Sequence, residues 1–278
     1  MELIQDEHQS PHDNCSTLIL PALSIGNVGQ LAIDLLISSL KAERIGYLDD
    51  PSVLPCVGND PYGLVPQGVL ALPLEAYESF SNALSLIQQR SPIVKGKMIE
   101  FAKNLADFAE TSGKKHVVVL SSLDSGRRLR IDAASNDQIY YLSSTNPDGT
   151  DDQCEALNWK VLKEYNIEQR RWKYLKSLAE GNSTEESSSF EDELVDEDYY
   201  PSLPFAALFS YCKAKGLKVT CIFCYCSEGD NMADSFHLAE GTCKLLDFKL
   251  HSNKEGSGWI IPHSWKTVYG PPSDMSLY

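Results

Sequence analysis

Apolar and polar positions along the chain alternate between two periods, and the alternation marks out strands and helices in turn. The run Leu18, Ile19, Leu20, Pro21, Ala22 predicts a strand near residues 16–23. Behind it "LAIDLLISSLKAE" predicts a helix near 28–42, and "RIGYLDD" a strand near 44–48. The stretch "DDPSVLPCVGNDPYG" places prolines and glycines at turn positions. "GVLALPLEAYES" and "NALSLIQQRS" read as a strand pair, followed by the helix "VKGKMIEFAKNLADFAETSG". In that helix Met98, Phe101, Ala102, Leu105, Phe108 and Ala109 form one stripe at spacings of three and four, and Gly113 supplies a stop.

"KHVVVLSSLD" predicts a strand buried on both faces, because its apolar residues are consecutive and mostly β-branched. A strand in "QIYYLSST" and a helix around "DQCEALNWKVLKEY" follow, then the helix "PFAALFSYCKAKG", the strand "LKVTCIFCYC", the turn "SEGDN" and the helix "MADSFHLAEGTCKLLDF". This β-α alternation predicts one α/β domain over 16–270 with helices on both faces of a sheet. Residues 1–15 are expected to be a disordered lead, and 271–278 a flexible tail.

Composition narrows the function classes. A chain of 278 residues that is 42% hydrophobic can bury a sizeable core. Its 24 basic and 39 acidic side chains give a net charge of −15, which repels nucleic-acid phosphates and anionic lipid, so neither nucleic acid nor membrane is an expected partner. Eight of the acids crowd between Glu185 and Asp198 without a base, an insertion at about 181–200 that reads as a solvated loop. The opening "MELIQDEHQS" carries no positive leader, and no apolar run approaches the ~20 residues of a bilayer span. The eight cysteines are therefore expected to be reduced thiols of a cytoplasmic and nuclear protein.

The chemistry that merits weighing begins at "LSIGNVGQ". Strand, glycine turn and helix make a phosphate-binding layout, and Ser24, Gly26 and Gly29 occupy the three glycine places of the dinucleotide fingerprint G-x-G-x-x-G. Asp49 follows about 20 residues later, where the fingerprint has its ribose-binding acid. The competing reading is a tight turn and close helix-strand packing, with the helix start empty.

Cys221, Cys224 and Cys226 invite a metal or redox reading, with His237 and Cys243 as further ligands. In a strand, however, Cys221 faces away from the other two, so no metal is expected. The histidines His8, His12, His116, His237, His251 and His263 form no H-E-x-x-H pair, no G-x-S-x-G elbow is present, and Arg127, Arg128 and Arg130 read as loop arginines. No catalytic set converges.

Four separated stretches, "GNVGQLAIDLLISSL", "VGNDPYG", "SEGDNMADS" and "IPHSWKTVYG", jointly resemble the proteasome assembly chaperone 2 family from about Thr17 to Gly270. The resemblance implies a three-layer α/β/α sandwich, nucleoside phosphorylase-like and without a catalytic site or cofactor. It also implies a heterodimer with proteasome assembly chaperone 1 that binds proteasome α subunits, promotes α-ring assembly and prevents off-pathway α-ring dimers. In that reading Gly26, Asn27 and Gly29 form a structural or interface turn at a former ligand site, with Asn59, Tyr62, Gly229, Asp230 and Asn231 in similar turns around it. The enzyme alternative keeps the turn at Gly26 to Gly29 for a nucleotide or nucleoside.

The tail "SDMSLY" departs from the hydrophobic-tyrosine-any pattern of this chaperone system. Leu277 and Tyr278 are present as candidate partner-binding residues, but Tyr278 stands last instead of penultimate. Ahead of Phe205, Pro201, Ser202, Leu203 and Pro204 stand where related chains carry a glycine-rich turn.

Overall fold

The computed structural model describes residues 1–7, 11–12, 14–63, 69–128, 138–182, 198–250 and 258–267. Most of the expected acidic insertion, and the whole tail with Leu277 and Tyr278, lie outside the described residues.

In chain order the strands are β1 (Glu2–Gln5), β2 (Thr17–Pro21), β3 (Glu43–Asp49), β4 (Gly58–Asn59), β5 (Leu70–Ala71), β6 (Leu74–Ser79), β7 (Leu84–Gln89), β8 (His116–Asp124), β9 (Tyr140–Ser143), β10 (Lys160–Val161) and β11 (Lys218–Cys226). The α-helices are α1 (Val28–Leu40), α2 (Met98–Thr111), α3 (Asp152–Ala156), α4 (Arg170–Ala179), α5 (Tyr199–Ser202), α6 (Pro204–Ala214) and α7 (Met232–Leu245). Nine strands form one sheet in the order β1-β3-β6-β7-β2-β8-β11-β9-β10, while β4 and β5 pair separately.

The centre of the sheet is parallel. β2 lies between β7 and β8, with Leu18 opposite both Ser85 and Val117, and β8 continues to β11, with Val119 opposite Cys221. Both flanks turn antiparallel: β6 and β7 form the expected hairpin, β3 pairs with β6, and β9 pairs antiparallel with β11.

Alternation along each central strand feeds two cores, as the strand period requires. Leu18, Leu20, Val117, Val119, Cys221 and Phe223 face α2, α4, α5 and α6, while Ile19, Val118, Leu120, Ile222, Cys224 and Cys226 face α1 and α7. The result is the expected α/β/α layering.

Two expectations are corrected. The lead over 1–15 is not disordered throughout, because Glu2–Gln5 pair antiparallel with β3 and extend the sheet at its edge. Cys15 is buried, and its carbonyl accepts a 2.7 Å hydrogen bond from Lys114 Nζ. The helix expected over "DQCEALNWKVLKEY" stops at Ala156, since Asn158 takes φ 58° and the chain then enters β10 beside β9. The amphipathic α4 that follows buries Trp172 and Leu175 and was not anticipated.

Candidate functional site

β2 and β11 each end in a glycine-containing turn that opens a helix on the same face, and α1 and α7 pack against each other. The two turns therefore meet above the end of β8, the crevice in which open α/β sheets bind ligands. Gly26 takes φ 64° and Asn27 φ 52°, a left-handed pair that lets the chain reverse into α1. Gly29 lies against the Leu120 carbonyl, where a side chain would collide with backbone.

Across the crevice Asn231 is buried, and its Nδ2 donates to the Gly229 carbonyl at 3.1 Å and the Gly26 carbonyl at 3.5 Å. Asp230 Oδ1 accepts from the Met232 N–H at 3.1 Å and so closes a turn just ahead of α7. Gly26, Gly29 and Asn231 thus pack together, while Asn27, Gly229 and Asp230 are exposed beside them.

The fingerprint chemistry fails in this setting for three physical reasons. Ser24, in the first glycine place, uses its Oγ to accept hydrogen bonds from Ser122 N–H at 3.0 Å and Ser122 Oγ at 2.8 Å, tying β2 to β8. The Asn231 side chain fills the space beside Gly26. Asp49 ends a strand separated from β2 by both β6 and β7, so it is nowhere near the turn.

Asn59 and Tyr62 do not join these turns. Asn59 is exposed in the small β4–β5 pair. Tyr62 belongs to a buried ionic chain: its hydroxyl donates to Asp34 Oδ1 at 2.5 Å and accepts from Arg90 at 3.0 Å. Arg90 also bonds Asp34 at 3.1 Å and Glu75 at 2.6 Å, and Glu75 is shared with Arg44, which reaches Asp6 at 2.7 Å. Burial alone would lower the Arg90 pKa, but Asp34, Tyr62 and Glu75 outweigh it and hold the guanidinium charged. The sequence signal for this chain was Asp34 itself, a carboxylate set among the apolar residues of α1.

The cysteines of β11 divide between the two faces as expected, Cys221 on one and Cys224 and Cys226 on the other. Burial raises the thiol pKa of all three. Among the described residues no group of three histidine, cysteine or acidic side chains could hold a metal ion. No described helix is long and apolar enough to cross a membrane.

Two further features stand apart from the crevice. Leu54, Val57, Val69 and Leu70 are exposed on the segment around β4 and β5. Two cavities of about 450 and 440 Å³ open elsewhere, and neither is lined by Gly26, Gly29 or Asn231.

Comparison with known proteins places this arrangement in a family context. The sequence profile of the PAC2 family matches residues 18–252. A Nematostella vectensis protein named proteasome assembly chaperone 2 is 36% identical over 228 residues, covering 80% of this chain and 85% of that protein. The Homo sapiens protein of the same name is 29% identical over 272 residues, 94% of each chain.

Among solved structures, Pyrococcus furiosus PbaA, described as an archaeal homolog of proteasome-assembly chaperone, superposes with a TM-score of 0.58 at 16% identity over 90% of this chain and 87% of its own. Pyrococcus furiosus PbaB, described as an archaeal proteasome activator, gives 0.54 at 15% identity over 90% of both chains. These likenesses establish the shared fold.

Proposed function

The chain belongs to the PAC2 family, and on that premise we propose that it is a proteasome assembly chaperone that works by protein binding and not by catalysis. The observation that carries this reading is the near full-length match to relatives named proteasome assembly chaperone 2. The packed crevice agrees with it, because Ser24 and Asn231 occupy the places a dinucleotide would need. The exposed Leu54, Val57, Val69 and Leu70 also agree, since apolar side chains left on a surface offer area for protein contact.

In its finer form the proposal is a heterodimer with proteasome assembly chaperone 1, in the cytoplasm and nucleus. The pair binds proteasome α subunits, promotes α-ring assembly and prevents off-pathway α-ring dimers. Leu277 and Tyr278 would contribute a tail contact that is secondary to the heterodimer, because Tyr278 does not occupy the penultimate place.

Co-expression with proteasome assembly chaperone 1, followed by size-exclusion chromatography with light scattering, tests the heterodimer. The expected result is a one-to-one complex that melts at a higher temperature than the separate chain, as linkage to a partner requires. A chain that stays monodisperse alone and gains no stability from that partner contradicts the proposal.

A further inference from the structure

The 440 Å³ cavity lies between α4, α6 and the loop after β9, on the opposite helical layer from the glycine turns. Its size falls within the ~300–1,000 Å³ of small-ligand sites. Ile167, Pro147 and Ala214 supply apolar wall, and Tyr165, Trp172 and Phe209 supply aromatic wall. The aromatic rings pack edge to face, with Tyr165 to Trp172 and Tyr165 to Phe209 centroids at 5.0 and 5.5 Å, so the wall is rigid.

What sets the cavity apart is a surplus of donors. The chain carries a net charge of −15, and among the described residues the enclosed cations Arg44, Arg90 and Lys114 are examples that each have a carboxylate within 4 Å. Lys213 has none among the described residues: its Nζ donates to the Tyr165 hydroxyl at 3.2 Å and lies over the Tyr165 and Phe209 rings. The Tyr165 hydroxyl, having accepted that bond, has no acceptor for its own hydrogen among the described residues. The indole N–H of Trp172 is buried without a partner.

Lys176 adds a second ammonium to the lining and Glu180 one carboxylate, 3.9 Å from Lys176, so the lining holds two ammonium groups to one carboxylate. Burial, and then the like charge of Lys176, push the Lys213 pKa down, the mark of an ammonium that lacks its counter-ion. An ammonium without a counter-ion in a half-enclosed site is costly, and an anion beside Lys213 and the Tyr165 hydroxyl would offset that cost.

We propose that this cavity binds the carboxylate of a small apolar or aromatic acid, with the carboxylate on Lys213 and Tyr165 and the apolar body against Trp172 and Phe209. A free acid and the terminal residue of a polypeptide present the same chemistry. The inference does not depend on the assembly function, since the cavity shares no residue with the glycine turns or with the apolar segment 54–71.

The test uses the whole chain and ligand-observed NMR with two acids, 3-phenylpropionate as a free acid and N-acetyl-L-phenylalanine as a chain end, each beside its neutral amide. At least one acid binds at millimolar concentration and its amide binds about tenfold more weakly, the scale of a charge-assisted hydrogen bond. If only the free acid binds, the site takes small acids; if the N-acetyl acid binds as well or better, it takes chain ends. Lys213→Met keeps the stem, removes the charge and lowers acid affinity about tenfold. Lys176→Met, at a side chain more than half exposed, weakens it less and leaves the fold intact, as circular dichroism will confirm. Acids that bind no better than their amides, no binding by either acid, or unchanged affinity in both variants would overturn the proposal.

Discussion

At Gly29 a methyl group would meet the Leu120 carbonyl, which is backbone and cannot move aside, whereas at Gly26 it would meet the Asn231 side chain. Gly216 also has a positive φ, 73°, but open space around it. Alanine substitution should therefore cost about 2–3 kcal/mol at Gly29, about 1–2 at Gly26 and about 1 at Gly216, as read by urea unfolding. Equal costs at the three positions would contradict the close packing assigned to the turn.

His116 tests the interior in another way. Burial, followed by the nearby Lys218, lowers its pKa to about 4, although Asp151 opposes the shift. Its Nε2 lies 3.0 Å from Thr220 Oγ1. Because the folded value lies below the unfolded value of about 6.5, the unfolded chain binds the extra proton between about pH 6.5 and pH 4. This contribution is complete above that window and is lost as pH falls through it. The parent chain should consequently lose more stability between about pH 7 and pH 5 than His116→Gln does, a comparison that cancels the shared carboxylates.

Among the elements, the ionic chain through Asp34, Tyr62, Arg90, Glu75 and Arg44 ties α1, β6 and β3 to the segment carrying Tyr62. Arg90→Met would leave Asp34 without its cation, held by the Tyr62 hydroxyl alone, and leave Glu75 with Arg44 alone, at an expected cost of about 3–5 kcal/mol in denaturant unfolding. A loss under about 1 kcal/mol would mean that the chain is solvated and weak. Nothing in the residues foretold this pairing, since Asp34 and Arg90 stand 56 positions apart and only the fold brings them together.

Other elements were legible to the extent that their burial was periodic. The central strands β2, β8 and β11 carry apolar runs, and the helices α1, α2, α6 and α7 apolar residues at helical spacing, from which all were anticipated. β1 offered only Leu3 and Ile4 as an apolar pair, too short a signal to separate an edge strand from a tail. α4 was hidden by its four basic residues in ten, which interrupt the apolar stripe of Trp172, Leu175, Leu178 and Ala179. The glycine turn was placed correctly, but the position of Asp49 depended on strand order, which local pattern does not encode.

At the scale of the whole molecule, the crevice above the end of β8 is filled by the protein's own side chains, Ser24, Ser122 and Asn231. Apolar side chains remain on the surface at Leu54, Val57, Val69 and Leu70. Both features suit a protein whose partners are other proteins. The most direct test of that account is affinity capture of the tagged chain from a lysate of its source cells, with mass spectrometry of what accompanies it. Proteasome assembly chaperone 1 together with proteasome α subunits is the predicted result, and recovery of neither would contradict it.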